Sequence, residues 1–158
     1  MRLLFLLGVF LTASGLAGAC AASSWQTLAF DGNVFAKGSG SGAIMVRDGY
    51  LPVPAGTAAP REDQLPEGTG AVAVFCYQQR SGGKLRPLGG LAPMAEVVIT
   101  VNGTSLKLAA RTDASGYLIL ALPPGSYDVG LFGLSKKVTV EGGKTALVAL
   151  RGGKRMVD

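Results

Sequence analysis

The chain has 158 residues, with 16% charged side chains, 24 glycines, 8 prolines, two cysteines, no histidine and a formal net charge of +5. This length allows one ordinary domain with its own core, and a charged fraction below the usual ~25% excludes disorder throughout the chain. No basic stripe with interleaved aromatic residues accompanies the mild positive charge, so we expect no nucleic-acid binding.

A secretory signal peptide is predicted over residues 1–19. Met1-Arg2 is a short positively charged start, residues 3–11 are apolar, and small residues continue to Ala22. The apolar run is shorter than the roughly 20 residues that span a hydrocarbon core, so we do not expect a membrane helix. The protein is therefore expected to be exported.

Two cleavage chemistries fit the end of this leader. The run Leu16-Ala-Gly-Ala-Cys20 resembles a bacterial lipobox, in which the cysteine is acylated and becomes the new N-terminus, although the leucine stands one place earlier than is usual. Small residues around the cysteine equally suit an ordinary signal peptidase, which would leave a soluble periplasmic or secreted protein and allow a Cys20–Cys76 disulfide. We favour lipidation of Cys20, because it also explains why Cys76 has no obvious partner.

The resemblance to lipoproteins also implies a location. An aspartate after the acylated cysteine often retains a lipoprotein in the inner membrane, and Ala21 stands at that position here. The resemblance therefore implies an outer-membrane lipoprotein that faces the periplasm or the cell surface. Its link to the membrane would be the lipid on Cys20, and several acyl chains would make that attachment stable.

Residues 20–70 are predicted to be a tether and a Pro/Gly-rich linker with a short hairpin. The apolar residues from Trp25 to Phe35 follow no clean period, and residues 38–42 have a flexible composition. Four prolines in residues 51–70 predict an extended linker. Only part of this half is expected to dock on the folded domain.

Strands are predicted in steady succession over residues 71–151. Residues 71–77 are apolar at every position, which predicts an interior strand with Cys76 buried as a small hydrophobe. Asn102-Gly103 between two alternating segments predicts a two-residue hairpin turn. The residues of the return strand that we expect to face the core are Leu106, Leu108 and Ala110.

Residues 112–129, TDASGYLILALPPGSYDV, predict a strand between two turns. Asp113 can accept a backbone hydrogen bond from two residues on, and Gly116 can take a positive φ, so this end predicts a hairpin connection. The unbroken apolar run Tyr117–Leu122 predicts a strand that is buried on both faces. Pro124-Gly125 suits the central positions of a type II turn.

Three further strands are predicted after this turn, and the last of them closes the sheet at residues 144–151. Together the segments make about seven strands at regular spacing, with no convincing helix after the leader. This pattern predicts an all-β fold, an Ig-like antiparallel β-sandwich over residues 71–151. Residues 152–158 are predicted to be a basic, frayed tail.

The run T-D-x-x-G-Y-x-x-x-x-L-P-P-G-S-Y-x-V resembles bacterial carboxypeptidase regulatory-like domains and their prealbumin-like (transthyretin-like) and Cna-B-type relatives. The similarity covers residues 71–151 and implies a prealbumin-like sandwich. It implies little about activity, because one sandwich fold carries many functions. Cna-B-type domains often form a Lys–Asn isopeptide cross-link, but residues 71–77 lack lysine and residues 144–150 lack asparagine, so we expect none here.

We predict no catalytic, cofactor-binding or metal-binding residues. The absence of histidine removes Ser-His-Asp and Cys-His machinery and nearly all zinc sites. Residues 142–145 match the end of a phosphate-binding loop without its first glycine, and residues 81–84 match S-x-x-K only in letters, so we expect a turn and a polar loop. Asp113, Asp128 and Glu141 lack the spacing of calcium ligands.

These observations lead us to expect a non-enzymatic, exported and lipid-anchored module with a binding or structural role in the bacterial cell envelope. Its partner would be an envelope protein or polysaccharide. We expect the contact surface at an edge strand, or at the loops over residues 80–91 and 152–158. The alternative is an accessory domain for a hydrolase that acts on peptide or carbohydrate.

Overall fold

The computed structural model describes residues 24–56, 62–80 and 90–153. The predicted signal peptide, the predicted lipidation site at Cys20 and residues 81–84 lie outside these ranges. The described residues form twelve strands and no helix, so they contain no helical segment of the length and hydropathy that a membrane crossing takes.

The strands are mostly short and are separated by turns, as the glycine and proline content predicts. They are β1 (Gln26–Phe30), β2 (Phe35–Lys37), β3 (Ala43–Val46), β4 (Val53–Pro54), β5 (Gly70–Arg80), β6 (Gly90–Pro93), β7 (Val98–Asn102), β8 (Lys107–Arg111), β9 (Tyr117–Leu122), β10 (Gly125–Leu131), β11 (Leu134–Val140) and β12 (Thr145–Arg151). The longest is β5, with 11 residues.

The strands form three sheets. The N-terminal sheet has the order β2-β1-β3-β4, the central sheet has the order β12-β5-β6 with β9 also paired to β5, and the outer sheet has the order β11-β10-β7-β8. The central and outer sheets pack as an eight-stranded sandwich, which confirms the predicted all-β fold with one strand more than expected. The β5–β12 ladder is parallel, whereas the other ladders are antiparallel.

The central sheet is buried on both faces. On β5, Val72, Val74 and Cys76 belong to the core that is shared with the outer sheet. Phe75 and Tyr77, which point the other way, belong to a second core that is shared with the N-terminal sheet. Both faces of residues 71–77 are covered, which explains why every residue there is apolar. The predicted interior strand is confirmed.

The structure differs from the tether and linker that were predicted over residues 20–70. In the described part of that range, β1 to β4 form a sheet, and Phe30 and Ile44 are buried against the central sheet. The following segment is also attached, because the Leu65 N–H donates to the Gly49 carbonyl at 2.9 Å. In strands this short, the side chains that alternate between solvent and the neighbouring sheet are too few for the two-residue hydrophobic period to be recognised.

The predicted hairpin connection at residues 112–116 and the predicted type II turn at Pro124-Gly125 are both connections between sheets. The turn between β8 and β9 has the predicted local structure, since Gly116 has a φ of 80° and Asp113 Oδ1 accepts a hydrogen bond from the Ser115 N–H at 2.9 Å. However, β8 belongs to the outer sheet and β9 to the central sheet. The connection from β9 to β10 returns to the outer sheet, so Gly125 begins β10 opposite Val140 and has no positive φ.

The turn at Asn102-Gly103 is longer than predicted. Asn102 pairs with Lys107, and the Gly103 N–H donates to the Leu106 carbonyl at 2.7 Å, so four residues form the loop. Gly103 has no positive φ, but a Cβ there would collide with the Tyr127 ring. Close approach of an aromatic ring therefore requires the glycine. The predicted core-facing residues of the return strand, Leu106, Leu108 and Ala110, do pack on the core.

Candidate binding site

The β10–β11 hairpin ends in a two-residue turn made of Phe132 and Gly133. Leu131 pairs with Leu134, and φ is 49° at Phe132 and 81° at Gly133. Positive φ at both central positions is typical of a type I′ turn, which favours Asn-Gly. A bulky residue in this conformation is an outlier that costs of order 1–3 kcal/mol. Phe132 therefore strains a turn that an asparagine would relax.

The apolar side chains at this turn project into solvent. Phe132 is 72% exposed and Leu134 is 61% exposed, the two highest values among the large apolar side chains of the described residues. Scattered exposed apolar residues are ordinary, but a strained aromatic residue beside a second exposed apolar residue indicates a contact surface. We call residues 132–134 the hairpin tip.

A cleft of about 540 Å³ lies against the hairpin tip. Its lining residues are Gln78, Met94, Phe132, Leu134, Arg151 and Gly153. Because β5 and β12 run parallel, their C-terminal ends lie together and bring Gln78 and Arg151 to the same cleft. The cleft is within the size range of ordinary ligand sites. We call it the tip cleft.

Gly152 positions the floor of the tip cleft. Its N–H donates to the Tyr77 carbonyl at 2.7 Å, and the residue is buried, so the predicted frayed tail does not begin at residue 152. A Cβ at Gly152 would collide with the Met94 side chain. The Met94 N–H in turn donates to the Cys76 carbonyl at 2.9 Å. Glycine at this position therefore lets Met94 pack over the end of β12.

The polar groups that line the tip cleft are a guanidinium and an amide. The residues that carry them, Arg151 and Gln78, are both exposed, and none of the ion pairs among the described residues includes Arg151. No carboxylate is among the lining residues that the structure describes. A guanidinium binds a carboxylate through two parallel N–H···O bonds. The tip cleft therefore combines apolar surface with a positive charge that forms no ion pair with any acidic side chain the structure describes.

The two edge strands of the outer sheet are less suited to pairing with another chain. β11 carries exposed Lys136 and Lys137, and β8 begins and ends with exposed Lys107 and Arg111. Charged residues along an edge strand discourage the addition of another strand. Of the contact surfaces that the sequence suggested, these edges are the least favourable.

The structure describes only parts of the two predicted contact loops. Arg80 pairs with Gly90 and closes the first loop, whose residues 81–89 lie outside the described ranges. From the second loop, Gly153 lines the tip cleft. Sequence reasoning did not identify Phe132. A sequence signal was present, because Phe132-Gly133 stands between two segments of alternating polarity, and this pattern indicates a two-residue hairpin turn.

The carboxylates considered for a calcium site lie apart. Asp113 Oδ1 accepts hydrogen bonds from its own turn, Asp128 lies on β10, and Glu141 Oε2 forms an ion pair with Lys144 Nζ at 2.6 Å. The hydrogen bond from Lys144, followed by its charge, lowers the pKa of Glu141. Within the described ranges, no three potential metal ligands come together.

Two other sequence features have structural roles. Residues 142–145 run through the turn between β11 and β12, as predicted. Cys76 has no exposed surface, and its burial raises the pKa of the thiol to about 12. Because the thiolate is the reactive form, this environment suppresses cysteine chemistry.

No protein-family model and no curated protein matches the sequence, so the resemblance to carboxypeptidase regulatory-like domains stays a prediction. Among solved structures, the chain is similar to the Bacillus anthracis TIE protein, with a TM-score of 0.43 and 18% sequence identity. The similarity covers 82% of this chain and 23% of that chain. At this level it supports no conclusion about function.

Proposed function

We propose that this protein is a non-enzymatic, exported binding module of the bacterial cell envelope, anchored to the outer membrane through acylated Cys20, and that the tip cleft binds its partner. The observation that carries the proposal is the strained and exposed Phe132. Folding alone favours asparagine or glycine at this turn position. An aromatic residue that strains the backbone and borders a cleft is better explained by recognition of a partner, because aromatic side chains are common anchors in binding interfaces.

The place where the chain enters the fold supports an anchored orientation. Trp25 packs against Tyr50 with ring centroids 6.0 Å apart, and the neighbouring Gly49 N–H donates to the Gly143 carbonyl at 2.7 Å. The entry point is therefore near the start of β12, whereas the tip cleft is at its end. An anchor at Cys20 would hold the first end at the membrane and direct the tip cleft away from it.

The available side chains support binding over catalysis. General acid–base catalysis needs titratable groups that converge on a substrate. The carboxylates singled out in the sequence are dispersed, and Cys76 is buried. The charged group that lines the tip cleft is Arg151, which suits electrostatic recognition better than proton transfer.

Fatty-acid labelling tests the anchor. Cells that produce the wild-type chain or Cys20→Ala are grown with labelled palmitate and fractionated. We expect a labelled protein in the outer membrane for the wild type and loss of both label and membrane attachment for Cys20→Ala. A wild-type protein that is unlabelled and free in the medium would contradict the anchored module.

Photo-crosslinking in intact cells tests the binding surface. A photoreactive amino acid replaces Phe132, or replaces Val98 on β7 as a matched control, because Val98 is also an exposed apolar residue (47%). We expect cross-linking to a discrete envelope component from position 132 and little from position 98. Equal yields at the two positions, or none at either, would show that the hairpin tip is not a binding surface.

A further inference from the structure

We infer that the tip cleft recognises an acidic, extended segment of a partner protein, in which an apolar side chain contacts the hairpin tip and a neighbouring carboxylate binds Arg151. The inference rests on the proposed role of the tip cleft as the binding site and names the class of partner. It is carried by the combination, in one cleft, of exposed apolar surface and a guanidinium that is in none of the ion pairs among the described residues.

The apolar part of the cleft suits a single side chain. Phe132 and Leu134 flank it from the hairpin tip, and the half-buried Met94 supplies a flexible apolar surface. Methionine adapts its shape to different apolar partners, and aromatic side chains supply rigid contact area. A cleft of about 540 Å³ accommodates one large side chain and its neighbours in an extended chain.

The charge distribution favours an acidic segment. Arg151 lines the cleft, whereas Lys136, the next charged residue on β11, borders a different cleft. No acidic residue is among the described residues that line the cleft. Complementary charge speeds encounter with a partner, and the planar guanidinium orients a carboxylate through two hydrogen bonds.

Other occupants fit the same surface less well. A membrane surface is disfavoured because the hairpin tip lies at the end of the central sheet opposite the chain entry at Trp25. A symmetric contact with a second copy would bring two Arg151 side chains together, and like charges oppose such an interface. A polysaccharide needs many hydrogen-bonding groups, whereas the described lining has two polar side chains, Gln78 and Arg151.

Fluorescence anisotropy with designed probes tests the inference on the full mature chain, with Cys20→Ser to keep it free of lipid. The acidic probe is the labelled peptide Gly-Ser-Glu-Trp-Glu-Ser-Gly, and its twin carries lysine in place of both glutamates. We expect the acidic probe to bind at least about tenfold more tightly than the lysine twin, as expected for one charge-assisted pair. Added salt should weaken this binding.

Paired variants separate recognition from folding. Phe132→Asn and Arg151→Gln should each weaken binding of the acidic probe by about tenfold or more. The matched controls are Val98→Asn and Arg111→Gln, which remove an exposed apolar residue and an exposed arginine away from the cleft and should leave binding unchanged. Because asparagine suits the turn at position 132, loss of binding in Phe132→Asn cannot be attributed to unfolding.

Four outcomes would overturn the inference. Equal binding of both probes would show that charge plays no role. If the protein binds phosphatidylglycerol vesicles and Phe132→Asn abolishes that binding, the partner is a lipid surface. Self-association that the same variant abolishes would identify a second copy. If neither probe binds but position 132 still cross-links to an envelope component in cells, the acidic-peptide inference fails while the proposed function stands. If the cross-link is also absent, the proposed function fails.

Discussion

At Phe132, the conformation of the backbone and the exposure of the side chain both oppose what folding favours. The φ of 49° places a bulky residue in the left-handed region, and 72% of its surface stays in solvent. Burial of the Phe132 ring therefore offsets little of the backbone strain energy. This combination is the basis for the proposal that Phe132 contacts a partner outside the chain.

Phe132→Asn is expected to stabilise the protein while it weakens binding. Asparagine accepts the left-handed conformation of a type I′ turn, so the free energy of unfolding should rise by about 1 kcal/mol. Urea denaturation monitored by circular dichroism measures the change, with Val98→Asn as the control that should show no gain. A loss of stability in Phe132→Asn would mean that the ring packs on the fold after all.

Cys76 is expected to make the protein sensitive to alkaline pH. Burial raises the pKa of its thiol from a reference value of 9.0 to about 12. Above pH 9 the unfolded chain releases this proton while the folded chain keeps it, so the free energy of unfolding falls as the pH rises toward 12. The slope for one thiol is at most about 1.4 kcal/mol per pH unit.

Denaturation at a series of pH values checks this expectation, with Cys76→Ala as the variant that cannot titrate. The alkaline loss of stability should be shallower in the variant. Tyr117 adds to the same trend in both proteins, because burial and then the charge of Asp113 raise the pKa of its hydroxyl. Identical profiles for the wild type and Cys76→Ala would contradict the role of the thiol.

At the scale of the elements, β9 shows why neighbouring residues do not decide where a turn leads. The turn before it has the bend that Asp113 and Gly116 predict. Yet β9 pairs with β5, whereas the strands before and after it lie in the outer sheet. A local bend specifies a change of direction, and only the distant pairing partner specifies which sheet the next strand joins.

The N-terminal sheet is expected to contribute substantially to stability. Ile44 on β3 is fully buried against the central sheet, and the Tyr117 hydroxyl donates to the Gly42 carbonyl at 2.6 Å. Ile44→Ala should therefore lower the free energy of unfolding by about 3 kcal/mol.

The matched control for this prediction is Val34→Ala, since Val34 is 59% exposed in the turn between β1 and β2. Its effect should stay within about 0.5 kcal/mol. Urea denaturation compares the two variants. If Ile44→Ala were as mild as Val34→Ala, the first four strands would not form a stabilising layer.

At the scale of the whole molecule, the chain entry and the hairpin tip are expected to be far apart. The entry lies beside Gly143 at the start of β5 and the tip cleft lies at Gln78, so about seven residues of β5, or about 23 Å at the usual rise of a strand, separate them. Spin labels on Ser24→Cys and Phe132→Cys in a Cys20→Ser background measure this separation, and buried Cys76 should not react. A distance below about 20 Å would contradict the opposed placement of the two ends.

Local sequence patterns predict most of the sandwich strands and several of the bends between them, but they do not predict β6, and Pro124-Gly125 does not form the expected type II turn. The apolar run of residues 71–77 predicts a doubly buried strand because no polar side chain can be accommodated when both faces are covered. Alternation predicts the inward face of β8, and Gly116 predicts a positive φ. These features depend on the chemistry of a few neighbouring residues.

Contacts between distant parts of the chain determine what covers the second face of the central sheet and where the tip cleft forms. Residues 26–54 become a sheet because Phe75 and Tyr77, far along the chain, offer them an apolar surface. The tip cleft exists because a parallel ladder brings the ends of β5 and β12 beside the hairpin tip. Such contacts join residues that are distant in sequence, so no local pattern encodes them.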